Sequence, residues 1–160
     1  MSHFLIREIQ TKDNQQVAAV IRTVLTEFGA PKVGTAYEDK ALDDMCETYN
    51  TDTSAYFVVV DKDRVIGGGG VSSLAGEVGV CEIQKMYFLE EARGKGLGKK
   101  MMETCMQKAK ELGFKRCYIE TLPYMTSAMR LYEKLGFEYI EGPMGTTGHY
   151  SCDVWMIKEL

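Results

Sequence analysis

The stretch Val80-Cys81-Glu82-Ile83-Gln84-Lys85-Met86-Tyr87-Phe88, followed after Leu89-Glu90-Glu91-Ala92 by Arg93-Gly94-Lys95-Gly96-Leu97-Gly98, decides how this chain folds. Its first part has the β-branched and aromatic content of a strand. In an unbroken strand Ile83, Lys85 and Tyr87 share one face, and Glu82, Gln84, Met86 and Phe88 the other; only a bulge would change that. From Leu97 the period changes. Leu97, Met101, Cys105, Ala109 and Leu112 recur at helical spacing with Met102 and Met106 beside them, and Gly113 closes the helix. Arg116 to Thr121 returns to strand. Strand, helix, strand in this order predicts a parallel pair joined right-handedly.

The junction between the first strand and the helix carries chemistry. Alternating glycines allow a tight turn that brings several backbone N–H groups toward one anion. The first helical turn adds unpaired donors and the positive end of its dipole. Arg93, Lys95, Lys99 and Lys100 add positive charge, so the turn reads as a pyrophosphate site. A plain helix cap is the simpler alternative. The spacing is not that of a nucleoside-triphosphate loop, because no Ser or Thr follows Lys99 or Lys100. Nor is it a dinucleotide fingerprint, since Gly94, Gly96 and Gly98 alternate; Glu120, near the ribose-binding distance, carries little weight.

Working toward the N-terminus, His3 to Ile9 reads as a strand. Asp13 with Gln16 has capping-box spacing, and Val17, Val20, Ile21, Val24, Leu25 and Phe28 form one helical stripe ended by Gly29 and Pro31. After a loop at Lys32 to Thr35, a second helix is expected over about Glu38 to Tyr49. Ala55 to Val60 is a central strand, Asp61 to Arg64 a tight turn, and Val65-Ile66 the return strand of a hairpin. Gly67 to Gly70 then calls for a bend, a bulge, a close ligand or a crowded crossing. Toward the C-terminus, Thr126 to Leu135 is a short helix stopped by Gly136. Phe137 to Ile140 and Asp153 to Lys158 are the last strands.

The 160 residues fit a single domain, 1–160, with 45% hydrophobic and 26% charged residues, ordinary globular values. A formal charge of -4 speaks against a nucleic-acid partner but leaves room for a local basic turn. No run is apolar enough to span a membrane and the first residues lack signal-peptide character, so a cytoplasmic location is expected. Cys46, Cys81, Cys105, Cys117 and Cys152 form neither a disulfide framework nor a metal knuckle. With only His3 and His149 besides, no metal site is expected.

With RGKGLG after a strand, then a helix, a strand and Ala128…Leu131-Tyr132-Glu133-Lys134-Leu135-Gly136-Phe137, the chain resembles the Gcn5-related N-acetyltransferases, the GNAT family. Their signature, Arg or Gln, two residues, Gly, one residue, Gly or Ala, falls on Arg93, Gly96 and Gly98. The resemblance spans most of the chain and is strongest from Glu82 to Phe137. It implies the acyl-CoA N-acyltransferase fold, α/β (α+β in some schemes). That is a mixed, largely antiparallel sheet of six to seven strands, splayed at a central parallel pair and flanked by about four helices.

The same resemblance implies acetyl-CoA as cosubstrate. Its pantetheine arm would lie between the diverging strands, beside Met86, Tyr87 and Phe88. A bulge there would aim an N–H at the thioester oxygen. The pyrophosphate would sit on the N–H groups of Gly94, Lys95, Gly96, Leu97, Gly98 and Lys99, next to Arg93. Ala128 would line the same channel. Tyr132 would act as general acid at sulfur, and Glu82 would relay a proton from the amine through water. Where many members have asparagine, this chain has Met125.

Acyl transfer to an amine needs a neutral nucleophile, an oxyanion donor and a proton for the leaving thiolate. Glu82 and Glu120 are the candidate bases, with His149 an auxiliary one. The acceptor walls are expected from the first two helices, residues 30–37, Gly67–Gly70 and 142–150. Six acidic residues against Lys32 and Lys40 between Ala30 and Ser54 would attract a cationic amine. The expected acceptor is a small-molecule or peptide primary amine, and a homodimer is the expected assembly. Two other readings stand beside the enzyme. A silent acyl-CoA-binding sensor would bind CoA without releasing thiol. A general phosphate-ligand binder would accept ATP or NAD as well as CoA.

Overall fold

The computed structural model describes residues 3–29, 40–123, 125–146 and 154–160. In chain order the elements are β1 (Phe4–Glu8), α1 (Asn14–Glu27), α2 (Met45–Thr48), β2 (Ser54–Asp61), β3 (Arg64–Ser73), β4 (Val80–Phe88), α3 (Leu97–Glu111), β5 (Arg116–Thr121), α4 (Thr126–Lys134), β6 (Glu138–Ile140) and β7 (Val154–Glu159). The strands make one seven-stranded sheet in the order β1-β2-β3-β4-β5-β7-β6. Every neighbouring pair is antiparallel except β4 and β5. This is the mixed sheet that the strand–helix–strand unit and the hairpin imply, splayed and flanked by helices as the family resemblance implies.

The sheet is covered on both faces, so β2 is apolar at nearly every position rather than alternating. Tyr56, Val58 and Val60 pack with Val17, Ile21, Val24 and Leu25 of α1 and with Leu42 and Met45. Phe57 and Val59 point the other way, into a core with Met101, Met102, Cys105 and Ala109 of α3 and with Tyr132 and Phe137. Cys81, Cys105 and Cys117 are buried in that second core as small apolar groups. Burial pushes the Cys105 and Cys117 thiols well above their ordinary range.

Two expectations change. Asp13 does not cap α1 through its side chain. Its carboxylate takes two hydrogen bonds from Arg7, at 2.8 and 3.0 Å, and one from the Gln10 N–H at 2.8 Å. A basic partner six residues earlier, brought close by β1, outcompetes the local cap. Gln16 is likewise drawn away, accepting the Val65 N–H at 2.9 Å. The second helix is short as well. Lys40–Asp44 is a 3-10 segment and only Met45–Thr48 is α-helical, while Glu38 and Asp39 lie outside the described residues.

In β4 the bulge that the resemblance implies is present. Gly68 pairs with Tyr87 and Gly70 with Gln84, so Lys85 and Met86 together oppose Gly69. This is a β-bulge, and Lys85 sits at φ +50°. Beyond it the side chains change sides: Met86 and Phe88 join Ile83 in the α3-side core, and Tyr87 turns to the α1 side. Gly67–Gly70 lie inside β3 and accommodate this geometry. A Cβ on Gly68 would lie 2.7 Å from the Tyr56 Oη, and one on Gly70 2.5 Å from its Cδ2. The Tyr56 ring therefore crosses β3 through the space two side chains would fill, and its hydroxyl donates to the Lys85 carbonyl at 2.7 Å. The glycines serve a crowded crossing and a bulge at once.

Candidate active site

β4 and β5 pair only at Val80–Arg116, Cys81–Cys117 and Glu82–Tyr118. Past Glu82 the two strands diverge and leave a fork in the sheet. Two connected spaces occupy it. An outer groove of about 470 Å³ runs between Phe88, Arg93, Gly94, Gly96 and Gly98 on one side and Ser127, Ala128 and Leu131 of α4 on the other. Val24 of α1 and Phe28, just after it, also line this groove. An inner pocket of about 60 Å³ holds Glu82, Gln84, Lys85, Glu120 and Thr121. Met86, Tyr87, Met125, Ala128 and Tyr132 line both. At roughly 30 Å³ per water the inner pocket admits a small head group and little more.

The glycine-rich turn lies at the far end of the outer groove. Gly94 and Gly96 have φ +73° and +77°, and Gly96 caps α3 with no side-chain partner. The first helical bond made across this end is Lys100 N–H to the Gly96 carbonyl at 3.2 Å. Among the described residues no backbone carbonyl accepts from the N–H groups of Gly94, Lys95, Gly96, Leu97, Gly98 or Lys99. A run of unpaired donors at a helix N-terminus is an anion-binding arrangement. Lys95, Lys99 and Lys100 are exposed around it.

Arg93 does something other than stand among those cations. Its guanidinium donates to the Phe88 carbonyl at 2.8 and 3.1 Å and to both oxygens of Glu27, one at 2.9 Å. It also lies 5.1 Å from the Phe28 ring centre. Arg93 thus straps the end of β4 to the end of α1. Glu27 lies 66 positions away, and no local pattern announces it.

Tyr132 is 6% exposed and packs at 6.0 Å on Phe137. Among the described residues no hydrogen bond reaches its hydroxyl, and the side chain borders both spaces. Burial, with the Cys105 and Cys117 thiols behind it, raises its pKa far above that of a free phenol. Glu82 is 3% exposed and borders the inner pocket. The Gln84 Nε2 donates to its Oε1 at 2.5 Å, and the Tyr49 hydroxyl donates to Gln84 Oε1 at 2.5 Å. Glu120, half-buried across the fork, accepts from the Tyr118 hydroxyl at 2.7 Å; that hydroxyl accepts the Met144 N–H at 3.1 Å. Met125 caps α4, with its sulfur 3.8 Å from the Thr121 hydroxyl. His149 and the whole of the 30–37 loop lie outside the described residues, and so do Tyr150 and Cys152.

The structure therefore brings Glu82, Met86, Tyr87, Phe88, Met125, Ala128 and Tyr132 to one fork, with the turn at its end. Sequence patterns alone miss Tyr49, Tyr118 and Glu27, because each acts through a contact made only in the folded chain.

Residues 12–137 match the sequence profile of the Acetyltransferase (GNAT) family. The chain belongs to that family. Over 158 residues, 98% of this GNAT chain and 95% of the relative, it is 45% identical to YjgM of Escherichia coli K12, described as an uncharacterised N-acetyltransferase. A GNAT-family acetyltransferase of Staphylococcus aureus Mu50 shares its fold at a TM-score of 0.87, with 17% identity and 98% of each chain covered. The PaiA N-acetyltransferase of Thermoplasma acidophilum, solved with coenzyme A, superposes at 0.69 with 16% identity over the whole of both chains. At those identities the two structures speak for the fold alone.

Proposed function

We propose that the protein transfers the acetyl group of acetyl-CoA to a primary amine by direct attack in a ternary complex. One observation carries this reading. Unpaired N–H donors, an apolar groove, a phenol and a buried carboxylate follow one another along a single fork. The donor set fits coenzyme A: the turn suits linked phosphates, and the groove walls of Val24, Phe28, Ala128 and Leu131 suit a slender, largely apolar arm. Acetyl-CoA supplies the activated acetyl group. The chain supplies everything else.

Gly94 to Lys99 hold the phosphates through the backbone, with Lys95 and Lys99 adding charge. Met86, Tyr87 and Phe88 flank the arm, and the bulge at Lys85-Met86, where two residues of β4 oppose Gly69, would aim a backbone N–H at the thioester oxygen. Met125 lines the wall with a thioether where the family resemblance implies an asparagine. The incoming amine is mostly an ammonium at neutral pH, its pKa being about 10. Glu82 takes its proton, directly or through water, and Glu120 across the fork attracts it.

Tyr132 faces the departing sulfur. Full proton transfer from a phenol to a thiolate is uphill by about 2 kcal/mol even at ordinary pKa values, and burial of Tyr132 widens the gap. Its hydroxyl therefore acts first as a hydrogen-bond donor to the developing thiolate. Transfer completes late, coupled to loss of the amine proton. Because burial keeps the phenol protonated, the alkaline side of the rate profile should show no step from Tyr132 below about pH 10.

An amine panel read by thiol release from acetyl-CoA tests the proposal. Tyr132→Phe should lower turnover at least about tenfold with CoA affinity within about twofold of wild type. Unchanged turnover removes Tyr132 from the mechanism. Tight CoA binding with no thiol release from any amine would leave a sensor in place of an enzyme.

A further inference from the structure

Glu82 does not stand alone in the fork. Gln84, two positions along β4 on the same face, reaches back to its carboxylate, and Tyr49, just beyond α2, reaches down to Gln84. We infer that Tyr49 and Gln84 are positioning residues for Glu82, forming a directional hydrogen-bond chain that holds its carboxylate as an acceptor facing the inner pocket. This rests on the reading of Glu82 as the proton acceptor.

The direction follows from donor and acceptor counting. A carboxylate only accepts, so the neighbour of Glu82 Oε1 must be the NH₂ of Gln84. That leaves the Gln84 oxygen facing Tyr49, where only a donor is satisfied, and the phenol provides one. The opposite amide orientation would set two oxygens against each other at 2.5 Å unless Glu82 were protonated. The charged carboxylate thereby sets the amide orientation, and Tyr49 satisfies the oxygen left on the far side of Gln84. Its own ring is fixed 5.2 Å from Tyr56, whose hydroxyl pins the Lys85 carbonyl. The base and the bulge are thus braced by adjoining aromatic rings.

Other groups bear on the same carboxylate. Ser72 is its partner on β3 and Tyr118 on β5. Lys85, Glu120 and Tyr132 line the same pocket from β4, β5 and α4, and Cys117 lies beside it on β5. None of these depends on Gln84 for its orientation. Removing the Gln84 donor therefore isolates its contribution.

A donor to a carboxylate favours the charged form. Losing it should move the Glu82 titration upward, by about one pH unit for a bond to a charged group. The experiment is carboxyl carbon NMR of the protein labelled at glutamate, titrated in the presence of CoA, with E82Q identifying the Glu82 signal. Q84M keeps the volume of the side chain and removes its polar atoms; Y49F removes only a hydroxyl. Q84M should raise the midpoint by about one unit and Y49F by about half of that, with CoA affinity unchanged. A purely structural role would leave the midpoint in place. Should Q84M and Y49F both titrate as wild type, the chain does not position Glu82 and the inference fails. A separate failure belongs to the reading beneath it: full turnover by E82Q with acetyl-CoA and the best amine of the panel would mean that Glu82 is no base, and the positioning role would fall with it. Fold loss in Q84M is controlled by Y49F, whose packing is retained.

Discussion

Two glycine-rich stretches of this chain do opposite things with the same residue. At Gly94 and Gly96 a Cβ would meet nothing within 4 Å, yet φ is +73° and +77°. At Gly68 and Gly70 φ is unexceptional, yet a Cβ would collide at 2.7 and 2.5 Å with the Tyr56 ring. The first pair is there for backbone conformation, the second for volume. One presents N–H groups to the outside; the other lets an aromatic ring cross a strand and hold a bulge. Counting glycines cannot separate these uses, but their neighbours can.

The contrast predicts a graded set of effects. Gly70→Ala should be the most damaging to the fold, costing about 3 kcal/mol. Its Cβ would also meet the Ala55 carbonyl at 2.9 Å, and backbone does not give way. Urea unfolding measures this, and a loss under 1 kcal/mol would mean the crossing is looser than it looks. Gly96→Ala meets no atom and should cost only about 1–2 kcal/mol, the strain of a left-handed non-glycine residue. Its mark should instead be a roughly tenfold weaker CoA titration, as relaxing φ turns the N–H groups aside. Equal losses of stability and affinity in both variants would erase the distinction. Smallest of all, Glu27→Gln releases a part-exposed ion pair and should change stability by less than about 1 kcal/mol.

Much of this was legible from residues. The helical stripe from Val17 to Phe28, the strand–turn–helix around Gly94 to Gly98 and the hairpin at Asp61 to Arg64 all follow local rules, and the structure keeps them. What escapes is decided at a distance. Asp13 has good capping spacing until β1 places Arg7 beside it. The bulge at Lys85 that the resemblance implies is there, but the Tyr56 ring from β2 that braces it is not in the local pattern. Arg93 matches a phosphate-site pattern, but its partner Glu27 sits on another helix. Gln84 looks like an ordinary strand residue until Tyr49 reaches it. Side-chain chemistry inside the fork depends on contacts across three elements, whereas the turn works through its own backbone. That is why the turn could be read and the bracing of Glu82 could not.

The parting of β4 from β5 after Glu82 has a consequence for how this chain keeps company with others. A strand margin with open hydrogen-bonding groups normally invites pairing from passing chains. Here those margins lie inside the sheet, in the fork lined by Val24 and Phe28 on one side and by Ser127, Ala128 and Leu131 of α4 on the other. The sheet thus carries open strand margins in two kinds of place, within the fork and at its outer edges β1 and β6.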